Sequence, residues 1–402
     1  MLNKMTLPSM ADVDLQNKRV IIRVDLNVPL EAGKITNDAR IRAILPTLQK
    51  AISKQARILL LSHLGRPKEG EYNEAYSLKP VAKQLSLLLK MPVRFADHWL
   101  DGIEIKPGEI VLAENVRFNK GEKANEASLA KKMAALCDVF IMDAFGTAHR
   151  AEASTAGISQ YAPIAVAGPL LIKELTTLQQ VMQSPKRPLV AIIGGAKVSD
   201  KLQLLKSLIE KVDVLIVGGG IANTFIAAAG YPVGSSLYEP DLIPIAKELF
   251  NFAKSRAVQL VLPSDVVVAK EILATASSHI TELSTVQKDE KILDIGPNSA
   301  EQYVEIVKNA ATILWNGPLG VFEIEAFSKG TEALANAIAA SQAFSVAGGG
   351  ETLAAIEKYK VSDKISYIST GGGAFLEYLE GKTLPAVAAL ENSTIGKERI
   401  KK

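Results

Sequence analysis

Short apolar runs rich in Val, Ile and Leu alternate along the chain with longer stretches whose apolar residues recur every three or four positions. Continuous apolar runs suit parallel strands buried on both faces, and the helical rhythm suits segments that cover those faces. The pattern predicts strands over 19–28, 56–63, 92–95, 109–116 and 137–145, separated in several places by helices over 38–53, 77–90 and 125–136. A second series follows, with strands over 189–193, 212–217, 258–262, 312–315, 344–347 and 365–368. Helices are expected after most of them.

This alternation predicts an α/β protein made of two doubly wound, Rossmann-like parallel-sheet domains joined by a hinge. A chain of 402 residues also exceeds what one hydrophobic core usually supports. A helix is expected over 169–183, and the prolines of Ser184-Pro185-Lys186-Arg187-Pro188 would end it. The connection is placed there, which gives domains over 1–170 and 171–384, the second opening with the interdomain helix.

The net charge of +3 is too small for a chain of this length to favour nucleic-acid or membrane binding, but it permits a local cationic site. The single cysteine, Cys137, excludes intrachain disulfides and cysteine-rich metal sites, in keeping with a reducing compartment. No apolar stretch is long enough to cross a bilayer, and the first ten residues already mix Asn, Lys and Pro, so a cytoplasmic location is expected. Two residue types are unevenly shared. Nine of the twelve arginines precede residue 151, whereas the triple-glycine runs 218–220, 348–350 and 371–373 all follow it. Arginine forks suit carboxylates and phosphates, and glycines allow a ligand to approach backbone amides. The first half therefore reads as a small-anion site and the second as a nucleotide site.

The loops after the predicted strands carry the candidate chemistry. Asp25, Leu26 and Asn27 stand at the end of the first strand, and a simple turn would explain them when taken alone. Ser62-His63-Leu64-Gly65-Arg66-Pro67, Glu114-Asn115-Val116-Arg117-Phe118 and 143–150, ending in His149 and Arg150, repeat an apolar strand followed by arginine. Any one of these arginines could be solvated surface, but Arg40, Arg66, Arg117 and Arg150 at comparable loop positions form a candidate anion pocket. In the second half, Lys197 and Lys201 stand four apart at a loop and helix start, a spacing shared by phosphate-binding and merely solvated lysines. Trp315-Asn316-Gly317-Pro318-Leu319-Gly320-Val321-Phe322-Glu323 offers an acid for a ribose. Gly348-Gly349-Gly350-Glu351-Thr352 offers a glycine loop before a helix. Neither the G-x-x-x-x-G-K-[ST] nor the G-x-G-x-x-G fingerprint occurs.

In this order, VDLNVP, SHLGRP, ENVRF, DAFGTAHR, GGAKVSDK, WNGPLGVFE, GGGET and STGGGA resemble the signature set of the phosphoglycerate kinases, with matches running from residue 23 to residue 374. The resemblance implies reversible phosphoryl transfer between 1,3-bisphosphoglycerate with Mg-ADP and 3-phosphoglycerate with Mg-ATP, in glycolysis and gluconeogenesis. It places phosphoglycerate on Asp25, Leu26, Asn27, Arg40, His63, Leu64, Gly65, Arg66, Arg117 and Arg150. It places nucleotide on Lys201, Glu323, Gly349, Gly350, Glu351 and Thr352. Catalytic roles fall to Arg40, Lys197 and Lys201. Family members usually carry Asp where Glu351 stands, and there it helps hold Mg²⁺; the glutamate is one methylene longer. The family pattern also returns a C-terminal tail, here 385–402, to the first domain, and implies a monomer with hinge-bending closure. The competing readings are a non-catalytic nucleotide- or anion-binding module of the same fold and a nicotinamide-dependent dehydrogenase, the latter disfavoured by the missing fingerprint.

Overall fold

In a computed structural model, residues 7–393 are described. They form two compact units: one runs to Thr176 and takes up the chain again from Thr383, and the other spans Thr177–Lys382. Residues 394–402, the end of the expected returning tail, lie outside the described part.

The first unit holds β1 (Arg19–Arg23), a small hairpin of β2 (Leu30–Glu31) and β3 (Lys34–Ile35), then β4 (Arg57–Leu61), β5 (Val93–Ala96), β6 (Ile110–Ala113), β7 (Val139–Met142) and β8 (Ile164–Ala167). Apart from the hairpin these make one parallel sheet in the order β5-β6-β4-β1-β7-β8. Its central strands are apolar on both faces, as burial on both sides requires. Val20, Ile22, Ile58, Leu60 and Ile141 pack with Ile41, Ile44 and Leu48 of the helix Ala39–Ser53. The helix Pro385–Glu391 packs on the segments Ala153–Gly157 and Ile158–Tyr161, and Ala386 N donates to Ala148 O at 3.1 Å.

The second unit contains β9 (Leu189–Ile193), β10 (Val214–Val217), β11 (Gln259–Val261), β12 (Asp265–Ala269), β13 (Ser278–Glu282), β14 (Lys291–Ile295), β15 (Thr312–Asn316), β16 (Phe344–Ala347) and β17 (Tyr367–Ile368). Its parallel sheet runs β11-β10-β9-β15-β16-β17, which in sheet numbering is the 3-2-1-4-5-6 order of the dinucleotide folds. A separate antiparallel sheet, β13-β12-β14, has no counterpart in the predicted strand series. Its β13 is mostly exposed and polar and gives no apolar alternation, whereas β12 and β14 are short apolar runs that the strand series does not include. The α/β class with two parallel sheets is as the pattern predicted. Several strands are shorter than predicted, since 24–28 and 143–145 leave the ladder and become the loops that carry function.

Candidate functional site

Parallel register decides where the first unit's chemistry sits. Arg23 aligns with Leu61 on β4 and with Met142 on β7, so the loops after these strands leave from one edge of the sheet. The loop after β6 joins them: Val116 N donates to Ser62 O at 3.1 Å. Ligands of open α/β sheets collect beyond this carboxyl edge.

Backbone and side chains then knit the loops together. Leu26 N donates to Ser62 Oγ at 2.8 Å, and Gly65 N to Asn27 Oδ1 at 2.8 Å. Arg40, in the first turn of its helix, donates to Asp25 Oδ2 at 2.8 Å and to Asn27 O at 3.2 Å. Arg117 is buried; it donates to Gly65 O at 2.7 Å and to Glu152 Oε1 at 2.9 Å. Arg150 lies 3.8 Å from the same carboxylate. Leu64 is buried, and its carbonyl accepts from Asn115 Nδ2 at 2.7 Å. Arg66 is exposed beside Gly65.

His63 is buried in the middle of this set. Burial, followed by the charges of Arg23, Arg117, Arg150 and Arg40, pushes its pKa well below the ordinary value, so the imidazole is neutral at pH 7. Its Nδ1 lies 3.3 Å from Arg23 Nη2. A guanidinium can only donate, so Nδ1 accepts and the ring proton sits on Nε2 as a donor. Of the arginines expected from sequence, Arg40, Arg117 and Arg150 bear on this histidine, together with Arg23, and Arg66 does not.

Arg23 itself is absent from the sequence-derived list. The signal was a charged residue inside the apolar run VIIRV, and the structure buries it completely. It donates to Ser154 Oγ at 2.9 Å, and Ser154 donates through both its amide and its hydroxyl to buried Glu122. Burial raises the Glu122 pKa to about 7 against the charge of Arg23. A carboxyl whose folded pKa exceeds its unfolded value contributes stability that is complete below the unfolded pKa and lost as pH rises through the folded one. Between pH 5 and 7.5, Glu122 is therefore expected to remove about 2 kcal/mol of unfolding free energy. Urea titrations should show Glu122→Gln flattening that slope; parallel profiles for the two proteins would refute it.

In the second unit the same register argument applies. Asn316 aligns with Ile193, so β9 and β15 end together at the point where strand order reverses. The turns beyond them touch so closely that a Cβ on Gly194 would stand 1.8 Å from Pro318 O, and no side chain fits there. Lys201 reaches into this crevice: its Nζ donates to Gly194 O at 2.5 Å and to Asn316 Oδ1 at 2.6 Å. Burial lowers its pKa to about 8, with the Glu351 and Asp200 carboxylates opposing the shift. Asn316 in turn donates to Gly348 O at 2.6 Å. It is absent from the expected site residues, yet it orients the lysine.

Gly349 adopts φ +97°, a conformation that favours glycine, just before the helix Gly350–Lys358. Thr352 is buried; its hydroxyl accepts from Gly317 N at 2.7 Å and donates to Gly348 O at 2.9 Å, tying the two glycine turns together. Beside these turns lies a cleft lined among others by Gly195, Gly219, Gly220, Leu319, Glu323 and Glu351. Lys197 is exposed in the loop after β9. Among the described residues no group of three or more His, Cys, Asp or Glu is placed to hold a metal ion.

A cationic cradle on one sheet edge and an amide-lined crevice on another are what a phosphotransferase with two anionic substrates needs. The sequence matches the phosphoglycerate kinase family over residues 10–382. This chain belongs to the phosphoglycerate kinase family. The phosphoglycerate kinase of Legionella pneumophila strain Paris is 59% identical over 387 residues, covering 96% of this chain and 98% of that protein. That of strain Corby is 58% identical over the same shares. Among solved structures, phosphoglycerate kinase from Coxiella burnetii superposes with a TM-score of 0.92 at 54% identity, covering 96% of this chain and 98% of that one. The enzyme from Pyrococcus horikoshii OT3 gives 0.79 at 33% identity, covering 98% and 100%. The chain is thus a transferase, a kinase of glycolysis. Its reaction passes a phosphoryl group reversibly between 1,3-bisphosphoglycerate with ADP and 3-phosphoglycerate with ATP. The non-catalytic module is not the favoured reading. No helix among the described residues is long and apolar enough to cross a membrane.

Proposed function

We propose that the unit carrying residues 1–170 binds the phosphoglycerate, that residues 171–384 bind the nucleotide, and that bending near residues 168–188 brings the two together for transfer. The observation that carries this reading is the sorting of charge. Arg40, Arg117 and Arg150 surround His63 on one sheet edge, whereas Lys201 and the glycine turns line the crevice of the other sheet.

The chemistry needs no general base, because the acceptor in the ATP-consuming direction is a carboxylate already ionised at neutral pH. The protein's task is alignment and neutralisation of charge on the moving group. Asp25, Leu26, Asn27, His63, Leu64, Gly65, Arg66, Arg117 and Arg150 hold the phosphoglycerate, the neutral His63 offering its Nε2 proton. Lys201, Gly349, Gly350 and Thr352 form or brace the phosphate end of the nucleotide site, and Glu323 on the cleft wall accepts from the ribose. Arg40 and Lys197 stabilise the charge that develops in transit. Closure excludes water, which suppresses hydrolysis of the nucleotide.

Mg²⁺ accompanies the nucleotide. Magnesium is commonly held by one or two carboxylates together with substrate phosphates, and Glu351, exposed on the cleft beside Lys201, fits the part of a single protein carboxylate. When bound, the ion neutralises phosphate charge. The enzyme acts as a cytoplasmic monomer without nucleic-acid or membrane partners, in line with its near-neutral net charge of +3.

The test is a coupled assay of ATP formation from 1,3-bisphosphoglycerate and ADP, run with and without Mg²⁺. Magnesium-dependent turnover is expected. Tight binding of both substrates without turnover would instead favour the non-catalytic module.

A further inference from the structure

Asp143 is fully buried at the carboxyl end of β7, and its two oxygens reach two different helices. Oδ2 accepts from Thr47 Oγ1 at 2.5 Å, and Oδ1 accepts from Leu171 N at 3.0 Å. Thr47 belongs to the helix Ala39–Ser53, two turns beyond Arg40. Leu171 lies in the first turn of the helix Pro169–Gln183, within which the boundary between the units falls. A Cβ at Gly168 would stand 2.2 Å from Asp143 Cγ, so the carboxylate reaches that helix start only because residue 168 has no side chain. The chain then continues from Asp143 into the loop that carries Arg150.

A carboxylate in this place is costly to bury unless its oxygens are partnered, so each bond constrains the element that provides it. Pro46, next to Thr47, cannot offer an amide hydrogen to its own helix, which weakens that turn and makes an outside tether more consequential. We propose that Asp143, acting through Thr47, is a positioning residue for Arg40 and ties the Arg40 helix to the helix in which the unit boundary falls. The proposal rests on the charge-stabilising role given to Arg40 above.

The experiment is a cycle of Thr47→Val, Arg40→Ala and the double variant, with Thr47→Ser as rescue. Valine keeps the shape of threonine and removes the donor to Asp143. Thr47→Val is expected to lower kcat roughly three- to thirtyfold. Calorimetric Kd values for 3-phosphoglycerate and ADP should stay within about twofold. Thr47→Ser should recover most of the loss, and adding Thr47→Val to Arg40→Ala should cost nothing more, because the positioned group is gone. A lower Tm with unchanged kcat, or full additivity with Arg40→Ala, would overturn the proposal. If Arg40→Ala itself leaves kcat intact, the reading of Arg40 falls instead and the link falls with it, a result distinct from the other two. Should Thr47→Val fold poorly, Asp143→Asn takes its place in the same cycle.

Discussion

Replacing Arg40 with alanine is expected to lower kcat by roughly 10²- to 10³-fold while leaving the Kd for ADP within about twofold. Its guanidinium has five N–H donors, and one nitrogen is already committed to Asp25 and Asn27. Those bonds fix the plane of the fork and leave its remaining donors for a ligand. The side chain is 36% exposed, so it is open to an incoming anion yet anchored at one edge. A group held in advance costs little reorganisation when charge develops, which is where such donors have their largest effect. Lysine would not replace it, since a single ammonium cannot bridge Asp25 and a phosphoryl oxygen with the same geometry. Steady-state kinetics and calorimetry separate the two effects. An alanine variant with normal turnover, or one that loses ADP binding in proportion, would remove Arg40 from the mechanism.

The second large effect is expected at Lys201. Its ammonium has three protons, and two are accounted for by Gly194 O and Asn316 Oδ1. The third is free for a phosphate oxygen. Lys201→Met deletes that contact and leaves two acceptors in the crevice without their donor, which should weaken ADP about 30- to 300-fold. Affinity for 3-phosphoglycerate should hardly change. The pH dependence provides a second signature. With burial bringing the lysine to about 8 in the free protein, a growing fraction loses its charge as pH rises from 7.5 to 9.5. A bound phosphate favours the ammonium, so wild-type ADP affinity should decline over that window and proton uptake should accompany binding near pH 8. Neither trend should survive in Lys201→Met. Calorimetry in two buffers of different ionisation enthalpy measures both, and an identical pH profile in the variant would exclude the lysine as the titrating group.

The sheets were legible because buried parallel strands are written in continuous Val, Ile and Leu, but several predicted runs reached into the loop motifs, because apolar residues such as Leu26, Val28 and Phe145 stay buried after the ladder has ended. Charge sorting was legible for a similar reason: arginine and glycine are chemically specialised, and their unequal distribution does not depend on packing. What the sequence hid depends on distant partners. Asn316 reads as one residue of a glycine turn until β9 brings Gly194 and Lys201 beside it. Glu122 reads as a surface acid in a polar stretch, but Ser154 and Arg23, 32 and 99 positions away in the sequence, turn it into a buried group. Of the antiparallel sheet, β13 escaped because it presents mostly exposed side chains and leaves no apolar alternation to detect, while β12 and β14 are apolar runs that were visible but not assigned. The hydroxyl of Thr352 joins two glycine turns that are 35 and 4 positions away in the chain, a link that no local spacing reveals.

The helix Pro385–Glu391 gives the molecule a chronology. Because it seats against Ala153–Gly157, the first unit is assembled from two stretches of polypeptide with all of Thr177–Lys382 between them. As the nascent chain emerges, the second unit has its complete set of strands before the first has received its last helix. The first unit therefore cannot be completed until the whole of Thr177–Lys382 has been synthesised, and until then the face of Ala153–Gly157 lacks the helix that covers it.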